Sequence, residues 1–191
     1  MFPCFNLIKI SMDQNLLQFL ETHHISYTPY EHEAVFTVEA ADRVFPNIAW
    51  MHVKNLFLKD KYGKFYLVCI EAHKRLPLKD FGRKFGIKEL SFWSPEQLEE
   101  EMHLTPWSVS LFWLIYAKDI AVYIDEDIRT SERVWWHPNI NTATLMITHE
   151  WLETFLNAVN ITPTIFDLKK LMIESPCRVL NSKLQNTIDI Q

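Results

Sequence analysis

Glycine is scarce in this chain. Its 191 residues include only Gly63, Gly82 and Gly86. A phosphate-binding P-loop or a dinucleotide-binding fingerprint needs several glycines within one turn, so that the backbone can approach phosphate closely. The sequence therefore excludes both classes of nucleotide site.

Cysteine is equally sparse. Cys4, Cys69 and Cys177 are far apart and form no CxxC pair, which argues against a disulfide framework and against a cysteine-rich zinc site. A reducing, cytoplasmic compartment is the natural expectation. The segment from His149 to Glu153 resembles the HExxH zinc motif but ends in Glu, so a solvated helix face is favoured there and no metal is expected.

Long apolar runs are also missing. No stretch approaches the roughly 18 uninterrupted apolar residues of a membrane span, so no membrane association is expected. Residues 1–11 are apolar but lack the basic start and small-residue cleavage site of a secretory signal, and we interpret them as an N-terminal extension. The periodic pattern covers residues 12–168, one domain, and fades over 169–191, which is expected to be an irregular tail.

Charge is unevenly distributed. The net charge is −5, yet the segment from Lys54 to Lys88 carries ten Lys or Arg against Asp60, Glu71 and Asp80. Charge alone favours an ordinary solvated lysine face. The alternative is a surface that faces phosphate, on which Lys79, Arg83 and Lys84 are the candidate binding residues.

The order of elements predicts a mixed α/β fold, with a mixed sheet and packed helices. The clearest helix start is Ser94, with Pro95 at the first helical position and Gln97 completing a capping box. Helices are also predicted from Ser11 to His23, from Thr37 to Arg43, over 78–85 before Gly86, and from Thr148 to Val159. Strands are predicted at 27–32, 53–58, 65–70, 110–115, 120–124, 142–147 and 164–168, with a hairpin turn at Gly63.

Four segments stand out together. They are EHEAVFT at 31–37, KNLFLKD at 54–60, LSFWSPEQL at 90–98 and HPNINTAT at 137–144. In this order and spacing they resemble the YbaK/prolyl-tRNA-synthetase-associated editing domain family, in its free-standing prolyl-tRNA editing (PrdX/ProX-type) branch. The resemblance implies a mixed, mostly antiparallel sheet around an open pocket. It also implies hydrolysis of the ester in misacylated tRNA, typically alanine on proline tRNA, without a cofactor. The implied partners are the aminoacylated 3′ acceptor end of tRNA and prolyl-tRNA synthetase.

The resemblance assigns the candidate site. Lys54 and His137 are its catalytic candidates, for holding phosphate or the ester carbonyl and for orienting water. A plain surface lysine and a structural loop histidine are the alternatives. Asn55 either donates to the substrate or pairs with a neighbouring strand. The remaining substrate-binding candidates are Phe36, Trp107, Ser108, Val109, Asn141 and Thr142. Of these, Asn141 and Thr142 also suit loop organisation, and Phe36 suits the core.

One loop departs from the family pattern. Where the family usually has a GxxxP loop, this chain has Trp107-Ser108-Val109-Ser110-Leu111. Glycine allows close backbone approach that tryptophan does not, so a narrowed pocket is expected, with weak hydrolysis or hydrolysis confined to small amino acids. Two other functions stay open: a non-catalytic homologue that binds tRNA or a synthetase, and a protein-interaction module that uses exposed rings such as Trp135-Trp136.

Overall fold

A computed structural model describes residues 12–44, 51–117 and 119–173. Eight strands form one mixed sheet in the order β1-β7-β6-β2-β3-β5-β8, with β4 paired to β2 off this path. Four of the seven pairings are antiparallel and three are parallel, which confirms the predicted mixed, mostly antiparallel sheet. The strands are β1 Thr28–Glu31, β2 Met51–Lys59, β3 Phe65–Glu71, β4 Ser91–Phe92, β5 Ile120–Asp125, β6 Arg133–Trp136, β7 Ala143–Thr148 and β8 Thr164–Phe166.

The helices alternate with the strands and cover both faces of the sheet. They are α1 Gln14–Thr22, α2 Val38–Val44, α3 Leu78–Phe85, α4 Pro95–Met102, α5 Glu126–Thr130, α6 His149–Ala158 and α7 Leu168–Ile173. Two short 3₁₀ helices, Pro106–Ser108 and Leu111–Ile115, connect α4 to β5. No helix in the described part of the chain is both long and apolar enough to cross a membrane.

Local sequence signals explain several of these elements. The Ser94 side chain accepts the Gln97 amide while the Gln97 side chain accepts the Ser94 amide, which is the predicted capping box. Gly86 ends α3 with a φ of 69°, and Gly63 adopts a φ of 81° in the turn between β2 and β3. Both backbone conformations favour glycine over other residues. The predicted hairpin, the start of α4 at Ser94 and the end of α3 at Gly86 are confirmed.

Strand β2 changes its partner along one edge, and we call this place the seam. Next to β6 it pairs only at Met51 and His52, and next to β4 only at Leu58 and Lys59. Its other edge pairs continuously with β3 from Val53 to Lys59. The Phe57 carbonyl still accepts the Trp93 amide at 3.3 Å, so the opening in the sheet lies along residues 53–56.

Two apolar cores lie on opposite faces of the sheet. The larger one joins α1, α6 and the second 3₁₀ helix to the sheet and includes Leu16, Phe112 and Phe155, all fully buried. The smaller one packs α3 and α7 through Phe81 and Leu168. Successive residues of a strand point to opposite faces, so β2 contributes Phe57 to the first core and Leu58 to the second. The seam thus lies between two firmly packed layers.

Three expectations need correction. The strand predicted at 110–115 is a 3₁₀ helix, because the Ser110 hydroxyl accepts the Phe112 amide and starts a helical turn. The first helix is capped by Asp13, whose carboxylate accepts the amides of Asn15 and Leu16. The tail predicted to be irregular begins with α7, because Leu171 is buried in the smaller core. The proposed extension at 1–11, Ser11 included, and residues 174–191 lie outside the described residues.

Candidate functional site

A cavity of about 500 Å³ opens at the seam. Its walls come from β2, from the segment that leads into α2, from the start of α4, from the first 3₁₀ helix and from the β6–β7 region. The lining is mostly apolar, with Val35, Trp93, Leu98, Trp107 and Trp135 among its members. A few polar side chains project into this apolar surround, as is usual for a small-molecule site.

Lys54 lines the cavity from β2. Its ammonium donates to the main-chain carbonyl of Ala72, with 2.7 Å between Nζ and the oxygen. Burial lowers the pKa of Lys54 below its ordinary value, against the opposing effect of Glu71, while Arg75 lowers it further. The ammonium is thus held at the end of β3 and partly stripped of water, which strengthens its interaction with any anion in the cavity.

The Asn55 side chain holds two walls together. Its Oδ1 accepts the indole N–H of Trp136 at 3.0 Å, and its Nδ2 donates to the Val109 carbonyl at 3.1 Å. One amide therefore ties β6 and the loop that follows α4 to β2. Both of its polar atoms are used within the protein, which supports the interpretation that Asn55 pairs with neighbouring elements.

His137 is held in a defined orientation at the cavity. His137 lines it, and its Nδ1 lies 3.1 Å from the Ala143 carbonyl. A carbonyl only accepts, so Nδ1 carries the hydrogen and Nε2 is left as the acceptor of the neutral ring. Burial lowers the pKa of His137, the bond to Ala143 opposes this, and the charges of His32 and His52 lower it further. The neutral form is therefore favoured.

Thr144 joins His137 to a second histidine. Its Oγ1 lies 3.3 Å from Nδ1 of His137 and 2.9 Å from Nε2 of His32. Nδ1 of His32 lies 2.8 Å from the Glu33 carbonyl, so it carries hydrogen and its Nε2 accepts the Thr144 hydroxyl. The two rings and the hydroxyl form one hydrogen-bonded row with defined tautomers.

Helix α2 covers one side of the cavity through Thr37, Val38 and Ala41. It contributes no fully buried residue. Its Asp42 carboxylate lies 3.4 Å from Nδ1 of His52 and 2.9 Å from Nε2 of His73. The hydrogen bonds that the Asp42 carboxylate and, next in size, the Glu71 carboxylate accept from His73 raise the pKa of His73. Burial lowers the pKa of His52. Polar contacts therefore supply much of the attachment of α2.

The loop that departs from the family pattern is rebuilt without a residue at positive φ. Trp107 lies in the first 3₁₀ helix, lines the cavity and stays 46% exposed. Ser108 is buried and its hydroxyl lies 2.8 Å from that of Thr105. Leu111 is fully buried in the larger core. The indole belongs to the lining of a cavity of about 500 Å³, and the expected narrowed or reshaped pocket stays a prediction.

The structure brings together some of the predicted site residues and separates others. Lys54, Asn55, His137, Trp107 and Val109 all line the cavity. The other substrate-binding candidates do not belong to its lining; these are Phe36, Ser108, Asn141 and Thr142.

The residues outside the lining have other positions. Phe36 is 57% exposed, so it belongs to neither the core nor the pocket floor. The main-chain carbonyls of Asn141 and Thr142 accept the amides of Val35 and His32, and the roles of their side chains stay predictions.

The basic residues of α3 lie away from the cavity. Lys79, Arg83 and Lys84 are exposed on a helix that packs through Phe81 onto the smaller core. Arg83 forms an ion pair with Asp80, with 3.1 Å between Nη1 and Oδ1. A tRNA-binding role for these three side chains stays a prediction.

The tryptophan pair is buried. Trp135 and Trp136 are 3% and 1% exposed, and Trp135 lines the cavity. The expectation that this pair offers an exposed ring to a protein partner is therefore wrong. Trp136 packs against Phe112 in the larger core, and Trp135 contacts the rings of Tyr30 and His52 on the other face of the strand.

Sequence reasoning missed His52, Thr144, Thr37 and Trp93, which line the cavity. His52 precedes Lys54 by two residues in a strand, so the two side chains share a face, and this spacing could have identified it. Thr144 belongs to the last of the four motif segments. Among the described residues, no three His, Cys, Asp or Glu side chains come together as a metal site requires.

Comparisons with known proteins identify relatives of this chain. A family model described as aminoacyl-tRNA editing domain matches residues 32–155. The prolyl-tRNA editing protein ProX of Acetoanaerobium sticklandii is 33% identical over 149 residues, 76% of this chain and 90% of that protein. The prolyl-tRNA synthetase associated domain-containing protein 1 of Danio rerio is 29% identical over 160 residues, 82% of this chain and 87% of that protein.

A solved structure, described as a candidate trans-editing enzyme for prolyl tRNA synthetase, superposes with a TM-score of 0.62 at 22% identity, covering 83% of this chain and 98% of the other. This likeness shows a shared fold. The family match and the similarity to ProX go further, and the chain belongs to the aminoacyl-tRNA editing domain family. The resemblance to the free-standing prolyl-tRNA editing branch is thereby confirmed.

Proposed function

We propose that the protein is a trans-acting aminoacyl-tRNA deacylase. Its substrate is a mischarged small amino acid, alanine in the first place, esterified to proline tRNA. The observation that carries the proposal is the convergence of Lys54 and His137 on one apolar cavity, within a family of editing domains. A neutral imidazole can orient the attacking water, and an ammonium can stabilise the developing oxyanion in hydrolysis of an activated ester.

The reaction needs no covalent intermediate. Water adds to the ester carbonyl, and the ribose hydroxyl leaves with a proton derived from that water. Nε2 of His137 accepts a hydrogen bond from the attacking water and orients it. The Lys54 ammonium holds the terminal phosphate or the developing oxyanion, and its interaction is strengthened because the cavity excludes much of the solvent.

The cavity volume suits this substrate. At about 500 Å³ it falls within the usual range for small-ligand sites, roughly 300–1,000 Å³, and accommodates an amino acid together with part of the terminal ribose. Size alone therefore does not restrict the substrate to alanine. A charged tRNA substrate belongs to the compartment of translation, so we propose a cytoplasmic location, with prolyl-tRNA synthetase as the source of mischarged tRNA.

The decisive experiment measures single-turnover release of the amino acid from proline tRNA charged with alanine, serine, cysteine or proline. Lys54→Met keeps the apolar stem and removes the charge, so it should lower the rate by roughly 10²-fold or more. Loss of the bond to the Ala72 carbonyl should cost only about 1 kcal/mol of folding free energy.

Lys170→Ala is the matched control, since it removes an exposed lysine of α7 outside the cavity lining, and its rate should equal that of the wild type. Wild-type protein that releases none of the four amino acids, yet binds the tRNA, would support the non-catalytic homologue instead. A Lys54→Met rate equal to the wild-type rate would remove Lys54 from the reaction.

A further inference from the structure

Exposed aromatic rings border the mouth of the cavity. Phe92 and Trp107 line it while remaining 54% and 46% exposed, and Phe36 lies between the lining residues Val35 and Thr37. Large exposed apolar side chains that cluster in this way mark a binding surface more often than chance. The buried chemistry of the cavity leaves these rings unused, because the proposed hydrolysis requires only groups inside it.

Lysines continue this surface beyond Phe92. Strand β4 pairs with β2 beside the hairpin turn, and the Lys61 amide donates to the Lys88 carbonyl at 3.3 Å. The segment from Lys88 to Phe92 therefore runs from the hairpin turn to the mouth of the cavity. The exposed cations of the hairpin turn and of this segment are Lys61, Lys64 and Lys88.

Two acids of this surface have partners within it. The Asp60 carboxylate accepts the main-chain amides of Tyr62 and Lys64 and the hydroxyl of Tyr66. Glu89 pairs with Lys61 at 3.3 Å. The Lys64 ammonium lies 5.8 Å from the centre of the Tyr66 ring, and Lys88 is exposed on the segment that leads to Phe92.

Rings next to cations suit one kind of partner. An unpaired nucleotide offers a flat base that stacks on an aromatic side chain and a phosphate that binds lysine, and this combination is common to single-strand binding surfaces. The centre of a protein-protein interface, by contrast, is depleted in lysine. Trp107 also stands where the family pattern has glycine, so the indole belongs to this chain and not to the shared motif.

We propose that Phe92 and Trp107 form a stacking platform for the last unpaired bases at the 3′ end of an RNA. Lys64 and Lys88 bind the phosphates of that strand. The platform rests on the proposed function, since it delivers the terminal nucleotide to the cavity that contains Lys54. Base stacking is sequence-tolerant, so the platform recognises an unpaired end as such and not a particular tRNA.

The test uses RNA without an amino acid. The probe is a stem-loop RNA with four unpaired nucleotides at its 3′ end, compared with the same stem-loop lacking them, and binding is measured by fluorescence anisotropy. Trp107→Ala and Phe92→Ala should each weaken binding of the probe about 5- to 100-fold, and should leave the blunt stem-loop unaffected. Trp107→Tyr should retain most of the affinity and Trp107→Leu should not, because stacking requires a ring.

Tyr116→Ala is the matched control. Tyr116 is 43% exposed but contacts Asp13 beside α1, away from the cavity lining. Its removal should leave binding of the probe unchanged. Circular dichroism checks the folding of every variant, and Phe92→Ala provides an independent measurement if a Trp107 variant fails to fold.

Two results would overturn the platform: wild-type protein that binds the unpaired end no better than the blunt stem-loop, or ring variants that bind the probe as the wild type does. Other results distinguish failure of the proposed function from failure of the platform. If no charged tRNA is hydrolysed but binding of the probe still depends on both rings, the platform stands without the deacylase. If hydrolysis proceeds and the rings make no difference to binding, only the platform is wrong. If this surface binds a protein and not RNA, hydrolysis proceeds and the ring variants bind the probe as the wild type does.

Discussion

Replacement of Asn55 by alanine would separate the two interpretations of this residue. The side chain accepts the indole N–H of Trp136 at 3.0 Å and donates to the Val109 carbonyl at 3.1 Å. Alanine removes both bonds at once. If Asn55 holds the walls of the cavity together, the loss appears first in the stability of the fold. If it acts on the substrate, the loss appears in the reaction rate alone.

The expected magnitude follows from the groups that lose their partner. Trp136 is 1% exposed and Val109 is 6% exposed, so water reaches neither group easily. Each buried polar group left without a hydrogen bond costs roughly 1–3 kcal/mol, and two of them together about 2–4 kcal/mol after relaxation. In a chain of this size, 1 kcal/mol shifts the melting temperature by about 2–4 °C. Asn55→Ala should therefore melt roughly 5–15 °C below the wild type.

Urea and thermal unfolding measure this loss, and a double-mutant cycle with Trp136→Phe isolates the bond to the indole. The coupling energy between the two positions should be about 0.5–3 kcal/mol. Asn55→Asp is the control of similar shape, which keeps the acceptor for Trp136 but places a carboxylate against the Val109 carbonyl. Unfolding of Asn55→Ala at the wild-type temperature, with no coupling to Trp136, would refute the argument and return Asn55 to the substrate.

Two further predictions concern His137 and Gly82. Because burial lowers the pKa of His137, the single-turnover rate should fall on the acid side with a midpoint below about 6.5. His52→Asn removes a charge that lowers this pKa, so it should move the midpoint upward. A wild-type midpoint above about 6.5 would contradict a role for the neutral ring. Gly82→Ala places a Cβ 2.8 Å from the Ile87 carbonyl oxygen, which is backbone that cannot move aside cheaply. The clash should outweigh the gain in helix propensity and cost about 1–3 kcal/mol, whereas a rise in melting temperature would show that α3 shifts to accommodate the methyl group.

Elements with a local cause could be predicted from the sequence. The capping box at Ser94, the turn at Gly63 and the αL residue Gly86 each depend on neighbours a few positions away. The run from Ser110 to Ile115 is different, because a short apolar run carries no periodicity that separates a strand from a buried helical turn. Strand β6 was missed because its adjacent tryptophans, buried on both sides of the strand, do not alternate with polar residues.

The site was predictable in its motif residues and not in its surroundings. Lys54 and His137 lie in segments that resemble a known family, so their assignment did not require a fold. His52 enters the cavity through the parallel pairing of β2 with β6, a contact between residues more than 80 positions apart. The outward position of Trp107 depends on the 3₁₀ turn around it. Tryptophan in place of the family's glycine suggested a narrowed pocket, because that comparison assumed that the backbone of the loop is unchanged.

The seam in β2 has a consequence for how such a protein can diverge. No ladder crosses the opening between Met51–His52 and Leu58–Lys59 in the described chain, and the first 3₁₀ helix forms part of the wall there. Substitutions in that helix alter what fits into the cavity while every strand keeps its partners. Other lining residues, such as Trp135 and Thr144, belong to strands and serve both the cavity and the sheet. Substitutions in the 3₁₀ helix can therefore change the substrate while the fold stays stable.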